Sequence, residues 1–288
     1  MSTAQQDEIK RRQLSDWNAA APGWKKWEKL FIENLQPLTD LLIKNSGIKP
    51  GDTVLDMATG TGEPALTIAR MIGPKGKVVG VDLSTGMLSV ARERAAARGV
   101  TNVTFQLNDK DDLPALHDNS FDAAVCRFGL MFMPDPARIL ASIGRVLKPH
   151  GKVAVSTWSP PEKVPFFSIF SKIVLKHFPE VRPAPPGVPG GVFGIPSQEM
   201  LGGIFGKAGL TSFNSQLVQL TFFQNTSPEA YWEAMSEMGG PLVALLANAS
   251  PEKRKMIGDE IVRTLRDMFP NGSVKLGGEA ILGAGTRI

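Results

Sequence analysis

The sequence predicts an α/β fold built on a mostly parallel sheet. Short β-rich runs alternate with helical ones between residues 47 and 158, and parallel strands need such crossover helices because no tight hairpin can join them. The strands contain continuous apolar runs, VVGV and AAV among them, as strands covered on both faces do. A glycine pair, Gly60 and Gly62, follows the first strand where it gives way to a helix.

The bulk numbers agree. With 288 residues, 42% hydrophobic and 21% charged, the chain suits one large domain, or one domain with an inserted cap. The net charge is +4 and the basic residues are scattered, the densest cluster being Lys10-Arg11-Arg12. That gives no groove for nucleic acid, so the expected partner is a small molecule. Cys126 is the single cysteine, which allows no disulfide framework and no Cys/His metal spacing. The N-terminal MSTAQQDEIKRRQ lacks the apolar stretch of a signal peptide. No apolar run approaches the ~20 residues of a membrane span. We expect a cytoplasmic protein without stable membrane insertion. Its oligomeric state is not legible.

Taken in order, residues 1–46 read as a helical lid. Trp17, Trp24, Trp27, Leu30, Phe31, Leu35, Leu38, Leu41 and Leu42 recur at roughly helical spacing, and Pro22-Gly23 is expected to break the stretch in two. Residues 47–158 form the core: TVLDMA then PALTIARMI, KVVGVDLS then GMLSVARERAAARG, VTFQLND, FDAAVCRFG then PARILASIGRVL, and KVAVSTWS. Residues 159–210 are rich in proline and glycine and read as a cap over the mouth of the sheet, with one helix, FFSIFSKIVLKHF, and loop at 179–196. Residues 211–288 hold a strand at 213–224, a helical insert at 226–270 and a final strand at 273–287. The insert reads as two helices, 228–247 and 251–268. Each starts with Ser-Pro-Glu, which supplies a serine cap, proline at the first helical position and an acid in the first turn.

The glycine turn carries the chemistry. In TVLDMATGTGEPALTIA, Asp56, Ala58, Thr59, Gly60 and Gly62 lie between a strand and a helix. Glycine lets backbone approach a ligand closely, and the helix start offers unpaired N–H groups. Gly60 to Ala65 also fits the dinucleotide pattern G-x-G-x-x-A. Asp56 and Glu63, however, place negative charge where a pyrophosphate would sit. They suit a ligand with an ammonium and a sulfonium, such as S-adenosylmethionine (SAM). Asp82 ends the second strand, 20 positions after Gly62, where a carboxylate can accept from both hydroxyls of a ribose. An Asp-Leu-Ser helix cap explains Asp82 equally well when it is read alone.

Four blocks, VLDMATGTGEPALTIA, VVGVDLSTGML, LNDKDDLPALHDNSFDAAVCRFGLMFMPDP and ILASIGRVLKPHGKVAVSTW, make the chain resemble the class I SAM-dependent methyltransferases, in particular the ubiquinone/menaquinone-biosynthesis type. The resemblance spans about residues 50–158 and says little about the acceptor. It implies a Rossmann-like, seven-stranded sheet with helices on both faces and an antiparallel last strand. It also implies that Asp56 and the backbone of Ala58, Gly60 and Gly62 hold the methionine part of SAM, that Asp82 holds the ribose, and that Leu83 and Met87 lie against the adenine. Asp109, with Lys110 beside it, would meet the adenine amino group, and Arg127 and Phe128 would face the reactive centre. Two features depart from the family pattern. Ala58 stands at the first glycine position of the loop, and KDDLPAL after Asp109 is one residue longer than usual.

Methyl transfer from a sulfonium is an in-line displacement that needs positioning at about 3–3.5 Å and exclusion of water. The sequence shows no clear general base. His117 and His150 fall in surface turns, and His177 falls in the cap, within reach of a pocket. Adjacent Asp111-Asp112 point apart and make poor acid–base partners. Trp17, Trp24 and Trp27 either close over the ligand or pack the lid on the sheet. Phe166, Phe167, Phe170, Tyr231, Trp232, Met235 and Met238 in the inserts suit an apolar or aromatic acceptor of the quinol, phenol or lipid kind. Two alternatives stay open: a nucleotide-dependent oxidoreductase, and a catalytically silent protein of the same fold that binds a partner.

Overall fold

The computed structural model describes residues 2–288. Two helices lead in, α1 (Thr3–Lys26) and α2 (Glu28–Ser46), followed by β1 (Thr53–Met57), α3 (Ala65–Ile72), β2 (Lys77–Asp82), α4 (Thr85–Ala97), β3 (Val103–Leu107), β4 (Phe121–Arg127), α5 (Pro136–Val146) and β5 (Leu147–Trp158). Beyond them come α6 (Pro165–Lys176), α7 (Gln198–Lys207), β6 (Thr211–Thr226), α8 (Pro228–Met238), α9 (Leu242–Ala247), α10 (Pro251–Met268) and β7 (Val274–Thr286).

The seven strands form one sheet in the order β3-β2-β1-β4-β5-β7-β6. The first five run parallel, and β7 is antiparallel to both its neighbours. This is the Rossmann-like arrangement with an antiparallel last strand. The chain leaves β1 toward β2 and later returns to β4 on β1's other side. The order therefore reverses between β1 and β4, and a crevice opens beyond their carboxyl ends, the usual ligand position in such sheets. Asp56 lies in register with Gly80 of β2 and Val125 of β4, so the last residues of three strands share that rim.

Local chemistry fixes the helix starts. Ser84, Ser227 and Ser250 each accept from the N–H three positions on, at 3.1, 3.1 and 3.2 Å. Elsewhere, tertiary packing overrides local signals. The break expected at Pro22-Gly23 does not occur, and α1 runs through it to Lys26. Pro22 faces solvent and the helix resumes with Trp27 N–H on Gly23 O at 2.9 Å. Gly23 lets α1 lie directly on α8, since a Cβ there would stand 2.1 Å from the carbonyl oxygen of Glu237. The helix expected over 228–247 is divided at Gly239-Gly240-Pro241, where Gly240 takes φ +61°. The final strand, expected at 273–287, spans Val274–Thr286.

Within 159–210, α7 is an element the loop-like composition concealed. Its cap is Ser197, whose hydroxyl accepts from Met200 N–H at 3.1 Å. It does not cover the mouth of the sheet. Leu201 and Phe205 pack flat on β7, where a Cβ at Gly283 or Gly285 would stand 2.7 Å from them. Only the part of the segment before α7 reaches the crevice, through Phe166, Phe167 and Val192. No helix of the described residues is long and apolar enough to cross a membrane.

Candidate functional site

The turn after β1 is a stack of backbone in unusual conformations. Ala58, Gly60 and Gly62 take φ of +58°, +56° and +99°. Ala58 stands where glycine would be easier, and its Cβ is accommodated because residue 129 is glycine: a Cβ at Gly129 would lie 2.4 Å from it. Gly62 is needed for packing, since a Cβ would meet Leu66 at 3.1 Å and Ala91 at 3.2 Å. Gly60 has nothing within 4 Å of that position and presents bare backbone to open space.

Two acids brace the turn from behind. Asp56, fully buried, accepts from Thr59 Oγ1 at 2.6 Å and from Ala65 N–H at 3.1 Å, both on Oδ2, while its Oδ1 has no partner among the described residues. Burial pushes its carboxyl up to about 7, against the pull of Thr59, Arg127 and Ala65. Asp82 accepts from Gly60 N–H at 2.8 Å on one oxygen and from Ser84 N–H at 2.9 Å on the other. Burial raises its carboxyl too, and the backbone N–H groups of Ser84 and Gly60 oppose that. Asp82 is therefore both a brace for the turn and an acceptor with lone pairs to spare, which joins the two explanations left open for it.

Glu63 behaves differently from the expectation. Its carboxylate is held by Arg98 at 2.7 Å and by Thr67 Oγ1 at 2.7 Å, and Arg98 also pairs with Glu28. Its charge is thus compensated locally, and the repulsion of a pyrophosphate rests on Asp82 and Asp56 alone.

Beyond the turn lies a cavity of about 180 Å³. Of the residues singled out from the sequence, Ala58, Thr59, Gly60, Asp82, Leu83, Met87, Arg127, Phe128, Trp17 and Trp24 line it. Asp56 and Gly62 lie just behind its wall. Four others are not brought to it. Asp109 and Lys110 are exposed on the loop after β3, whose next residue, Asp111, pairs with Lys10 of α1 at 3.0 Å. Trp27 turns its Nε1 to Glu237 at 2.7 Å, on the outside of the α1–α8 contact. His177 caps the end of α6 and meets Glu260 of α10 at 2.7 Å, so the cap carries it away from the pocket.

The opposite wall was only partly foreseen. Trp24 stacks on Phe31 at 3.8 Å, Phe31 meets Phe222 edge-on at 5.5 Å, and Phe222 stacks on Phe166 at 4.5 Å. Phe166 in turn meets Trp158 at 5.2 Å, and Trp158 stacks on Phe128 at 4.0 Å. Met235 and Met238 of α8 complete this wall. Phe31 and Phe222 read as ordinary core positions in sequence, because nothing local marks a ring as facing a cavity.

Helix α1 is the roof. Gln13 Nε2 donates to Phe132 O, Asn18 Oδ1 accepts from Ser84 Oγ at 2.7 Å and from Gly86 N–H at 2.9 Å, and Trp24 O accepts from Arg94 at 2.8 Å. Arg94 also reaches Thr61 at 2.5 Å, so it ties the roof to the glycine turn. Gln13 and Asn18 were missed in sequence. Their only signal is that they are polar residues of α1, Gln13 on the face that carries Trp17, Ala20 and Trp24, and Asn18 turned toward the start of α4.

Comparison with known proteins adds to this geometry. Residues 48–184 match the family described as a methyltransferase domain. The 2-phytyl-1,4-naphtoquinone methyltransferase of Trichormus variabilis is 40% identical over 128 residues, 44% of this chain and 56% of the relative. The demethylmenaquinone methyltransferase of Symbiobacterium thermophilum is 38% identical over 134 residues, 46% of this chain and 49% of the relative. The chain thus spans about half the length of the curated relatives it matches. Among solved structures, phosphoethanolamine N-methyltransferase 2 of Haemonchus contortus superposes with a TM-score of 0.58 at 21% identity, over 98% of this chain and 60% of that one. YcgJ of Bacillus subtilis does so with 0.55 at 24% identity, over 88% and 98%. These two show the fold.

Proposed function

We propose that this chain, with its methyltransferase domain at residues 48–184, moves the methyl group of SAM onto an apolar, aromatic small molecule of the quinol or phenol kind. The observation that carries the proposal is one cavity with two unlike walls. Bare backbone and an acceptor carboxylate lie on one side, and a chain of packed rings on the other. The relatives' names give quinones as acceptors, and that acceptor chemistry suits the ring-lined wall. We place the protein in the cytoplasm, on the strength of its single, buried cysteine.

The residues present fit SAM. The open space over Gly60 admits a ligand against the backbone. Each oxygen of Asp82 carries one N–H and keeps lone pairs for ribose hydroxyls. Leu83 and Met87 offer apolar surface for the adenine, and Ala58 to Thr61 offer backbone for the methionine part. SAM supplies a methyl group on a sulfonium. The protein's own part is to bind, to orient and to exclude water, with the rings of Phe128 and Trp158 beside the turn and α1 above it. The cavity, at about 180 Å³, is smaller than the roughly 300–1,000 Å³ of ordinary ligand pockets.

Calorimetric titration with SAM and, separately, NAD(H) tests the cofactor, with Asp82→Ala as control. We expect SAM to bind and the substitution to remove most of that affinity. Binding of NAD(H) in its place would favour an oxidoreductase. Quinols, phenols and amines, offered with labelled SAM, then test the acceptor.

A further inference from the structure

Arg127 stands where the two walls meet. Its Nη2 donates to the carbonyl of Glu63, at the end of the glycine turn, at 3.0 Å. Its Nη1 donates to Thr39 Oγ1 at 2.9 Å, on the same helix α2 that supplies Phe31. Phe128, the next residue, begins the chain of rings. The guanidinium is thus fixed at the junction, on a line from the turn to the aromatic wall.

It has no carboxylate within ion-pair distance among the described residues. Of the nearby acids, Glu63 is committed to Arg98 and Thr67, while Asp56 bonds Thr59 and Ala65 through Oδ2 and acts on Arg127 only from beyond contact. Two of the five N–H donors of an arginine are used, both by neutral oxygens. Burial lowers its pKa, while Glu63 and Asp56 hold it charged from farther away. The guanidinium is half-buried, with no carboxylate in direct contact among the described residues, so an incoming anion would find unused donors there. A second observation concerns proton removal. Among the described residues, no His, Lys, Cys or Tyr side chain lines the cavity. Glu28 and Glu63 are paired with arginines, and Asp82 braces the turn.

We infer that Arg127 binds the acceptor as an oxyanion, so that this cavity selects apolar aromatic molecules with an ionisable hydroxyl and needs no general base. The inference rests on the methyl-transfer reading above. On binding, the hydroxyl proton leaves to solvent. The acceptor's electron pair forms the new bond to the methyl carbon, the carbon–sulfur bond breaks with its pair staying on sulfur, and the negative and positive charges cancel. Where a ring carbon beside the oxygen attacks, the hydrogen on that carbon leaves afterwards as a proton. Arg127 then acts by charge and position, and its strength is the pKa depression it imposes on the hydroxyl. An opposite charge at close range commonly lowers a pKa by about 1–3.

The test uses 4-nitrophenol as probe, bound to the full chain in the presence of S-adenosylhomocysteine, with its ionisation followed by absorbance against pH. We expect the bound phenol to ionise about 1–3 pH units below the free one. Arg127→Gln should abolish that depression and Arg127→Lys should keep part of it. Thr39→Val, which retains the guanidinium and removes one of its fixing bonds, should keep most of it. SAM affinity, measured separately by calorimetry, should change less than about threefold in Arg127→Lys and Thr39→Val. Preferential binding of the neutral phenol, or no binding, overturns the inference. So does an unchanged phenol titration in Arg127→Gln with a tenfold loss of SAM affinity, which would make Arg127 a clamp for the carboxylate of SAM. Absence of SAM binding by the wild-type protein would instead defeat the methyl-transfer reading and, with it, the inference; the SAM calorimetry, read beside the phenol titration, tells these failures apart.

Discussion

The polar wall of the cavity is drawn from residues 58–87, nearly in sequence order. The ring wall gathers Phe31, Phe128, Trp158, Phe166 and Phe222 from five separate stretches of chain. The first is mostly backbone, shaped by positive φ and braced by two buried acids. The second is made of side chains, braced by one another. A wall of backbone tolerates few substitutions, because each residue is there for its conformation. A wall of rings is graded, since each ring contributes contact area. The two should therefore respond to different perturbations.

The largest contrast is expected in pH dependence. Asp56 ordinarily ionises near 3.8 and in the folded, ligand-free protein near 7. The fold thus binds its proton more tightly than the unfolded chain does. Its contribution is greatest below about pH 4, falls as pH rises, and levels off above about 7, a total change of about 4 kcal/mol at most. Denaturant midpoints of wild type minus Asp56→Asn, followed from pH 4 to 8, should show this slope. A flat difference would mean that water or a cation reaches Oδ1. The ring wall, without acids, should add nothing to the slope.

Next in size is Asp82→Ala. Loss of a charged acceptor that also braces Gly60 should cost about 2–3 kcal/mol of SAM binding, roughly 30- to 150-fold. Calorimetry should find acceptor binding less affected. Phe167→Ala probes the other wall. It is half-buried and lines the cavity, and its ring meets Phe193 at 5.9 Å. We expect about a tenfold rise in acceptor KM with SAM affinity unchanged, equivalent to about 1.4 kcal/mol. If both constants moved together, the walls would not be separable. The smallest effect belongs to His177→Ala. Its partnership with Glu260 lies outside the cavity, so turnover should be unchanged and stability should fall by no more than about 1 kcal/mol.

The same contrast explains what could be read from sequence. The order of strands and helices in 47–158, the glycine turn and Asp82 were legible because period, spacing and backbone chemistry are local. The position of Asp82 could be read, but its bond to Gly60 could not, since it joins residues 22 apart. The ring wall was legible only as a surplus of aromatic residues. Whether Phe222 faces a cavity depends on Phe31 and Phe166, which reach it only through the fold. His177 misled because a histidine in a cap segment suggests a ligand contact, and only tertiary packing shows Glu260 beside it. Asp109 and Lys110 entered through family resemblance, at the place where KDDLPAL lengthens the loop, and that loop holds them at the surface.

Helix α1 covers the cavity with two half-buried rings, Trp17 and Trp24, and few fully sunk apolar side chains. Its fully buried residues are Gln13, Asp16, Ala20, Ala21 and Gly23, whereas α2 beside it sinks Phe31, Leu35, Leu38 and Leu42. Hydrogen bonds such as those of Gln13, Asn18 and Trp24 exchange for water at a net cost of only about 0.5–1.5 kcal/mol each. A segment held this way detaches as a unit of its own, well below the free energy of global unfolding. The amides of α1 should then exchange with deuterium long before those of α2.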